Sequence, residues 1–423
     1  MNAGVSASIG QFFIQNAPHI AWVLASVLLV EMVRDFYHFL SHQLPPLQRL
    51  HNWHHRAYKK DFSPISTEIY RKAQLRNDAP EAVFMMAVMA VSAVVFRIPG
   101  LWFGVLYAAG FLTAAILRSR GLLTATDLTH EPGPLAGIPG HWKVNRTYHW
   151  RHHFDDTNAY YAGLFPLSDQ ILGTALSLTG KSVAVTGASG TLGRSLIKEL
   201  ARQGAKPIAL TTSLTVDKAD MPGASKVVSW RAGEEGDLLS VFSKVDILVI
   251  NHGVNVMGER GVGAIANSLE VNALSAWRML ETFLETVDNR TGRATKEVWV
   301  NTSEAEVNPA FSPLYEISKR LIGDLVNVRR TDAPCVIRKL VLGPFKSNLN
   351  PYGVMSADVI ARCICFLAKR DIRNIIVTIN PLTYLLLPLK EVSQAIYFRL
   401  FTRGQRETRE ANSANYRPSG LSD

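Results

Sequence analysis

Residues 181–204 read KSVAVTGASGTLGRSLIKELARQG: a buried apolar run, a glycine turn, then an amphipathic stretch. The pattern predicts strand, turn and helix. Gly187, Gly190 and Gly193 would let the backbone approach a pyrophosphate at the helix N-terminus. Thr186, Ser189 and Arg194 are expected beside them in the nucleotide site. A glycine turn alone is a weak sign, but apolar runs recur downstream at PIALTTS, KVVSW, DILVINHG, EVWVNTS, CVIRKLVLG and NIIVTI, with helical stretches between. Such alternation predicts an α/β, Rossmann-type doubly wound parallel sheet with its ligand at the carboxyl ends of the strands.

Within that frame YEISK places Tyr315 and Lys319 one helical turn apart. An ammonium beside a phenol lowers the phenol pKa, so that it can exchange a proton near neutrality. Ser303 in VNTSE lies twelve residues upstream, where it can polarise a substrate carbonyl or alcohol; Thr302 is the neighbouring hydroxyl. The stretch from about Lys181 to Ile379 resembles the short-chain dehydrogenase/reductase family. DILVINHG is similar to that family's DILVNNAG, keeping Asn251 and Gly253, with Ile250 for the first Asn and His252 for Ala. The resemblance implies a catalytic set of Ser303, Tyr315, Lys319 and Asn272, and a nicotinamide covered by the loop at Gly343–Pro344. The second strand ends Thr211-Thr212-Ser213, without the acid that would hold a ribose 2′-hydroxyl, and Arg194 is available for a 2′-phosphate. NADP(H) is the expected cofactor, with NAD(H) the alternative.

Before about residue 178 the composition differs. Ten of the twelve histidines lie between His38 and His153. Three apolar runs accompany them: roughly Phe12–Val33, APEAVFMMAVMAVSAVVF and LWFGVLYAAGFLTAAIL, the last two joined by RIPG. They predict an α-helical membrane domain; a span requires ~20 residues, so the second and third runs, nearer ~17, are expected as short helices. If the first helix emerges at Arg34, ten cationic residues fall on one side and only Arg97 on the other, which makes that side cytoplasmic. Every histidine cluster falls there too.

The clusters are HFLSH (His38, His42), HNWHH (His51, His54, His55) and HWRHH (His149, His152, His153). Spacings of three and four put each set on one helix face, and converging imidazoles suit iron, zinc or copper. This segment, about Glu31–Thr174, resembles the fatty acid hydroxylase/sterol desaturase superfamily of membrane di-iron enzymes. DLTHEPG then supplies His130 as a ninth ligand, while Pro134 stands where some members have another histidine and His141 is a substitute or a loop residue. The closing segment HHFDDTNAYYAGLFPLSDQILGT matches through Asn158, Tyr160 or Tyr161, Gly163, Asp169, Gly173 and Thr174. The resemblance implies two irons, O2, a lipid or sterol-like substrate drawn from the bilayer, and an external electron donor of ferredoxin or cytochrome type.

The chain of 423 residues thus divides into 1–178, a membrane histidine-box domain; 179–380, the nucleotide domain; and 381–423, an amphipathic membrane-surface segment with a disordered tail. In that segment Tyr397, Phe398, Leu400 and Phe401 stand among Lys390, Arg399 and Arg403, as on a helix lying on anionic lipid. The formal charge of +10 is spread without the basic blocks of a nucleic-acid arm, so no nucleic acid is expected. Cys335, Cys363 and Cys365 form no CxxC pair or disulfide framework, in keeping with a reducing compartment. The expected function is a bifunctional lipid oxidoreductase: hydroxylation or desaturation at one centre, alcohol/carbonyl chemistry at the other. The rivals are an active dehydrogenase on a metal-bound lipid-binding anchor, and a non-catalytic NADPH-binding scaffold.

Overall fold

The computed structural model describes residues 2–124, 129–213, 215–288 and 291–403, with side chains from residue 17 onward. The expected disordered tail lies outside the described residues. Two compact units form, Met1–Ala175 and Leu176–Asp423.

The first unit is helical: α1 (Asn2–Gln43), α2 (Pro45–His55), α3 (Thr67–Ala73), α4 (Ala79–Phe96), α5 (Trp102–Ser119), α6 (Arg146–Phe154) and α7 (Leu167–Leu172). A π-turn, Gln74–Asp78, fuses α3 to α4, so the second apolar run belongs to a continuous 30-residue helix, Thr67–Phe96. That helix and the 21-residue Pro99–Ser119 are long and apolar enough to cross a membrane. Arg97 ends α4 in the left-handed region at φ 54°, the cap geometry that glycine usually supplies. Val30, Met85, Met89, Leu101 and Ala108 form a small core between α1, α4 and α5, while Val91, Val94, Val95 and Leu106 point outward.

The second unit runs β1 (Ser182–Thr186), α8 (Thr191–Arg202), β2 (Lys206–Thr211), β3 (Lys226–Ser229), α9 (Leu239–Phe242), β4 (Ile247–Ile250), α10 (Val262–Leu269), α11 (Ser275–Leu284), α12 (Gly292–Thr295), β5 (Glu297–Asn301), α13 (Pro313–Arg329), β6 (Val336–Leu342), α14 (Ala357–Ala368), β7 (Asn374–Val377) and α15 (Pro381–Phe401). Its seven strands are all parallel, in the order β3-β2-β1-β4-β5-β6-β7. The order reverses between β1 and β4, and the crevice at that switch point receives a ligand in sheets of this kind. Alternate residues of β1 feed two cores: Val183 and Val185 meet Leu196 and Ile360, whereas Ala184 meets Met279 and Phe283.

Two strand residues break the apolar pattern. Arg338 and Lys339 are fully buried in β6, and each finds two carboxylates. Arg338 bonds Glu297 and Asp371, both at 2.8 Å; Lys339 bonds Glu306 at 2.6 Å and Glu391 at 2.8 Å. A buried charge persists only when paired in this way. Glu391 lies on α15, so this chain of charges fixes the C-terminal helix to the sheet. Lys390 therefore does not face outward among the aromatics, as the sequence suggests; it pairs with Glu306 and Asp324.

Candidate functional site

In the first unit, α1 delivers His38 and His42, α2 delivers His51, His54 and His55, and α6 delivers His149, His152 and His153. His130 joins from the loop before α6. Pro45 and Pro46 start α2, and the Asn145 side chain caps α6 by accepting the Tyr148 N–H. All nine expected histidines converge. They form two groups, His38/His42/His51/His152 and His54/His130/His149/His153, with ligand atoms in each group within 4.8 Å of one another. His55 lies between the groups: its Nε2 is 3.0 Å from that of His51 and 3.2 Å from that of His152, and its ring is 4.7 Å from His153. His141 packs on Trp142 and joins neither group.

In the first group, three ring nitrogens on the far side are tied down. His38 Nδ1 donates to Tyr161 O at 2.7 Å, His152 Nδ1 to Ala159 O at 2.8 Å, and His51 Nδ1 pairs with Asn77 Oδ1 at 2.8 Å. A carbonyl oxygen can only accept, so these Nδ1 atoms carry the proton and each Nε2 presents a lone pair. Yet Nε2 of His38 and of His152 stand 2.9 Å apart. Two lone pairs at that distance repel, and burial holds both imidazoles well below their ordinary pKa. A cation held between them would resolve the conflict. Burial likewise lowers His42 to about 4 and His51 to about 3, leaving neutral ligands at pH 7.

The second group passes a geometric test. His130 Nε2 is 2.9 Å from that of His149 and 3.2 Å from those of His54 and His153, while His153 Nε2 is 3.1 Å from those of His54 and His149. These five spacings approach the ~3.3 Å between ligands placed tetrahedrally at the ~2.0–2.1 Å of a metal–imidazole bond.

The segment after α6 explains how the carbonyls are held. Buried Asp169 accepts the backbone N–H groups of Tyr161 and Ala162, the Tyr148 hydroxyl and the Thr174 hydroxyl. Asp35 takes Gly163 N–H and the Ser168 hydroxyl. Sequence reasoning missed Asp35 and Asn77. Asn77 sits on the π-turn, a local rewinding that leaves no periodic signature. A cavity of about 440 Å³ opens from His38, His51, His54 and His149 towards Met85, Leu106 and Phe111 of the apolar helices.

In the second unit, Gly187 adopts φ +61° and a Cβ there would lie 2.9 Å from His252 Cα. Glycine is thus required where the turn passes beneath the β4 loop. Thr186 Oγ1 bonds Asn251 N–H and His252 Nδ1, both at 2.8 Å, joining the ends of β1 and β4. Arg194 is exposed and lies over the turn, bonded to Ser189 O and Asp220 O. Thr211 Oγ1 bonds the Ser189 hydroxyl at 3.2 Å, and no acid follows β2.

Tyr315 and Lys319 share the inner face of α13, with Lys319 Nζ 5.7 Å from the Tyr315 ring. Burial pushes the Tyr315 phenol up and a hydrogen bond with the Ser303 hydroxyl opposes it. Lys319 donates to Asn301 O at 2.9 Å, and burial lowers it to about 8 against the pull of Glu306. Ser303 sits at φ 84°, a backbone state that a non-glycine residue holds only under constraint from its surroundings. Thr302 is fully buried and its hydroxyl makes no hydrogen bond, so Ser303 is the hydroxyl beside Tyr315.

Asn272 lies on a second π-turn, Glu270–Leu274. Its amide clamps Val254 N–H at 2.8 Å and Val254 O at 2.9 Å, and bonds Ser318 at 3.0 Å. Gly253 leaves room there: a Cβ would stand 2.9 Å from Asn272 Oδ1 and 3.9 Å from Lys319 Nζ. Gly343 passes against Thr378, and Pro344 O accepts Val354 N–H at 3.0 Å, folding the β6 loop back on itself.

Residues 23–174 match the model of the fatty acid hydroxylase family. Among solved structures, an alcohol dehydrogenase from the archaeon Thermococcus sibiricus, complexed with 5-hydroxy-NADP, is 21% identical. The match covers 47% of this chain and 95% of that one, with a TM-score of 0.41. A short chain dehydrogenase from Burkholderia cenocepacia in complex with NADP is 18% identical over 54% and 100% of the two chains, with a TM-score of 0.43. Across 406 residues, 90% of this chain and 97% of its relative, the sequence is 52% identical to monoglucosyldiacylglycerol epimerase from Synechocystis. A fatty acid hydroxylase-type domain is thus followed by a doubly wound parallel α/β domain, and the chain belongs to the family of that epimerase.

Proposed function

We propose that this chain is a membrane-bound glycolipid epimerase whose dehydrogenase site inverts one carbinol of a hexosyl-diacylglycerol head group. The observation that carries the reading is the Ser303–Tyr315–Lys319 arrangement at the carboxyl edge of the switch-point sheet. Inversion at a carbinol carbon requires its C–H bond to break and re-form on the other face, with no net oxidation. A single alcohol/carbonyl site that runs in both directions meets that balance. Bound at the glycine turn, a nicotinamide supplies the acceptance and return of hydride.

The protein's own groups handle the rest. Tyr315 Oη takes the carbinol proton as the carbonyl forms and gives it back when the other face is reduced. Lys319, as an ammonium, favours the phenolate. Ser303 Oγ holds the substrate oxygen. Asn272 fixes the Val254 backbone beside them. Thr186, Gly187, Ser189, Gly190, Gly193, Asn251, Gly253, Gly343 and Pro344 hold the cofactor. The absence of an acid after β2 and the place of Arg194 favour NADP(H).

The nine histidines support a second centre holding two metal ions, iron by resemblance. His38, His42, His51 and His152 would hold one, His54, His130, His149 and His153 the other, with His55 between them. When bound, two irons supply O2-dependent cleavage of an unactivated C–H bond, using electrons from an external donor. The cavity reaching the apolar helices would admit the lipid portion of a substrate. The charge distribution favours a multi-pass membrane protein with its histidines on the cytoplasmic side.

Oxygen separates the two centres experimentally. Detergent-purified protein given monoglucosyldiacylglycerol without O2 should still invert the head group, read by NMR of the isolated lipid. Loss of inversion under anaerobic conditions would assign the reaction to the histidine centre instead.

A further inference from the structure

Helix α15 is amphipathic in the reverse of the usual sense. Its polar residues face the protein: Thr383 bonds Asn308 at 2.8 Å, Lys390 bonds Glu306 and Asp324, Glu391 bonds Lys339 and Arg330, and Gln394 bonds Asn327 and Asp324. Leu387 is buried, but its other leucines, Val392 and Ile396 face outward. Leu385, Leu389, Val392 and Ile396 recur at helical spacing, with Leu389 60% and Leu400 71% exposed. The helix cannot roll to bury that stripe without breaking the ion pairs that tie it to β6 and α13.

A second apolar surface surrounds the site. The loops after β4, β5 and β6 are tied together by Ser312 Oγ donating to Asn255 Oδ1 at 2.7 Å and by Asn255 Nδ2 donating to Leu349 O at 3.2 Å. Each presents a bulky apolar tip: Met257; Phe311, fully exposed at φ 54°; and Tyr352, 92% exposed. A phenylalanine in the left-handed region, directed wholly into solvent, has no packing role within the chain. Because all strands are parallel, these tips and the start of α15 lie at the same carboxyl edge of the sheet. Thr378 and Thr383 also bond Glu304, the residue after Ser303, so α15 is coupled to the catalytic loop.

We infer that this edge, the outer face of α15 together with the tips around Tyr315, docks on the surface of a lipid bilayer. The same chain carries two helices long and apolar enough to span that bilayer. Tyr384 and Tyr397 on α15, and Arg399 near its end, are residue types that settle at the headgroup level. Docking lets a membrane lipid present its polar end to Tyr315 while its acyl chains stay in the bilayer. The inference does not depend on which reaction the site performs.

The test uses the full chain in nanodiscs of phosphatidylcholine and phosphatidylglycerol in equal parts. In a Cys363→Ser background, where Cys335 and Cys365 are buried, single cysteines replace Leu389, Val392, Ile396 or Phe311 and carry an environment-sensitive fluorophore. Lys244→Cys, before β4 at the opposite edge, is the control. At the four test positions, lipids spin-labelled near the carbonyl should remove more than half of the emission, and iodide in the water should remove little. The control should respond the other way. Iodide quenching at the test positions overturns the inference, as does equal lipid quenching of the control. Pyrene excimer emission at Leu389→Cys, lost on dilution with unlabelled chain, would assign the face to a second copy and overturn it as well.

Discussion

Replacing Asn77 by leucine should empty one half of the histidine cluster and spare the other. Asn77 Oδ1 lies 2.8 Å from His51 Nδ1, and its Nδ2 donates to Asp78 at 2.7 Å, which fixes the orientation of the amide. Leucine keeps the volume but leaves a buried imidazole N–H unpaired, at a cost of about 1–3 kcal/mol. It also frees the His51 ring to turn its Nε2 away. Loss of such a supporting bond weakens a metal by about 10–100-fold, or roughly 1.4–2.7 kcal/mol. None of His54, His130, His149 and His153 pairs with Asn77 among the hydrogen bonds at their ring nitrogens. Dialysis of the purified protein against a graded chelator, followed by mass spectrometry of retained metal, should therefore show two metals falling to one. Asn77→Asp keeps an acceptor and should restore the second. The reasoning is refuted if Asn77→Leu retains both metals at the wild-type chelator midpoint, or if leucine and aspartate behave alike.

Three further outcomes are expected. Tyr315→Phe should lower head-group turnover by about 10²–10⁴-fold while leaving NADP(H) binding intact, measured by titrating cofactor fluorescence. Arg194→Ala should weaken NADPH by about tenfold, roughly 1.4 kcal/mol, and leave NADH unchanged in the same titration. Glu235 governs acid stability: burial pushes its carboxyl up, but bonds from Arg278, Ser275 and Gly233 N–H outweigh this and bring it from the ordinary 4.5 to about 2. Between those values the unfolded chain binds the proton and the folded chain does not. Glu235 thus contributes stability that is present above about 4.5 and lost as pH falls towards 2. Glu235→Gln should cost about 2–3 kcal/mol at neutral pH and flatten that part of the pH–stability curve in chemical denaturation.

What was legible from sequence was what repeats at a fixed period or depends on local chemistry. Histidines at i, i+3 and i+4 announce a shared helix face, and the eight so spaced meet, joined by His130, which only the family resemblance supplied. The glycine turn and the apolar runs predict a parallel sheet, and seven parallel strands form. Tyr315 and Lys319 are one turn apart on any helix. The unread features depend on distant partners. Asn77 sits on a π-turn, whose extra residue breaks the period by which a helix face is read. Asp35 reaches Gly163 and Ser168 across more than a hundred residues. Lys390 looked like an outward-facing cation among aromatics, because nothing local reveals that Glu306 and Asp324 wait beneath it. The second apolar run seemed short because the π-turn that extends it carries the polar residues Gln74, Arg76, Asn77 and Asp78.

The central claim is that inversion proceeds through a dehydrogenase site that removes and returns the same hydrogen. Its most direct test is anaerobic turnover of monoglucosyldiacylglycerol in D2O, with the head-group protons read by NMR. The account predicts an inverted carbon that retains its original hydrogen, and product from Tyr315→Phe slowed by about 10²–10⁴-fold. Deuterium at the inverted carbon, or full turnover by Tyr315→Phe, would contradict it.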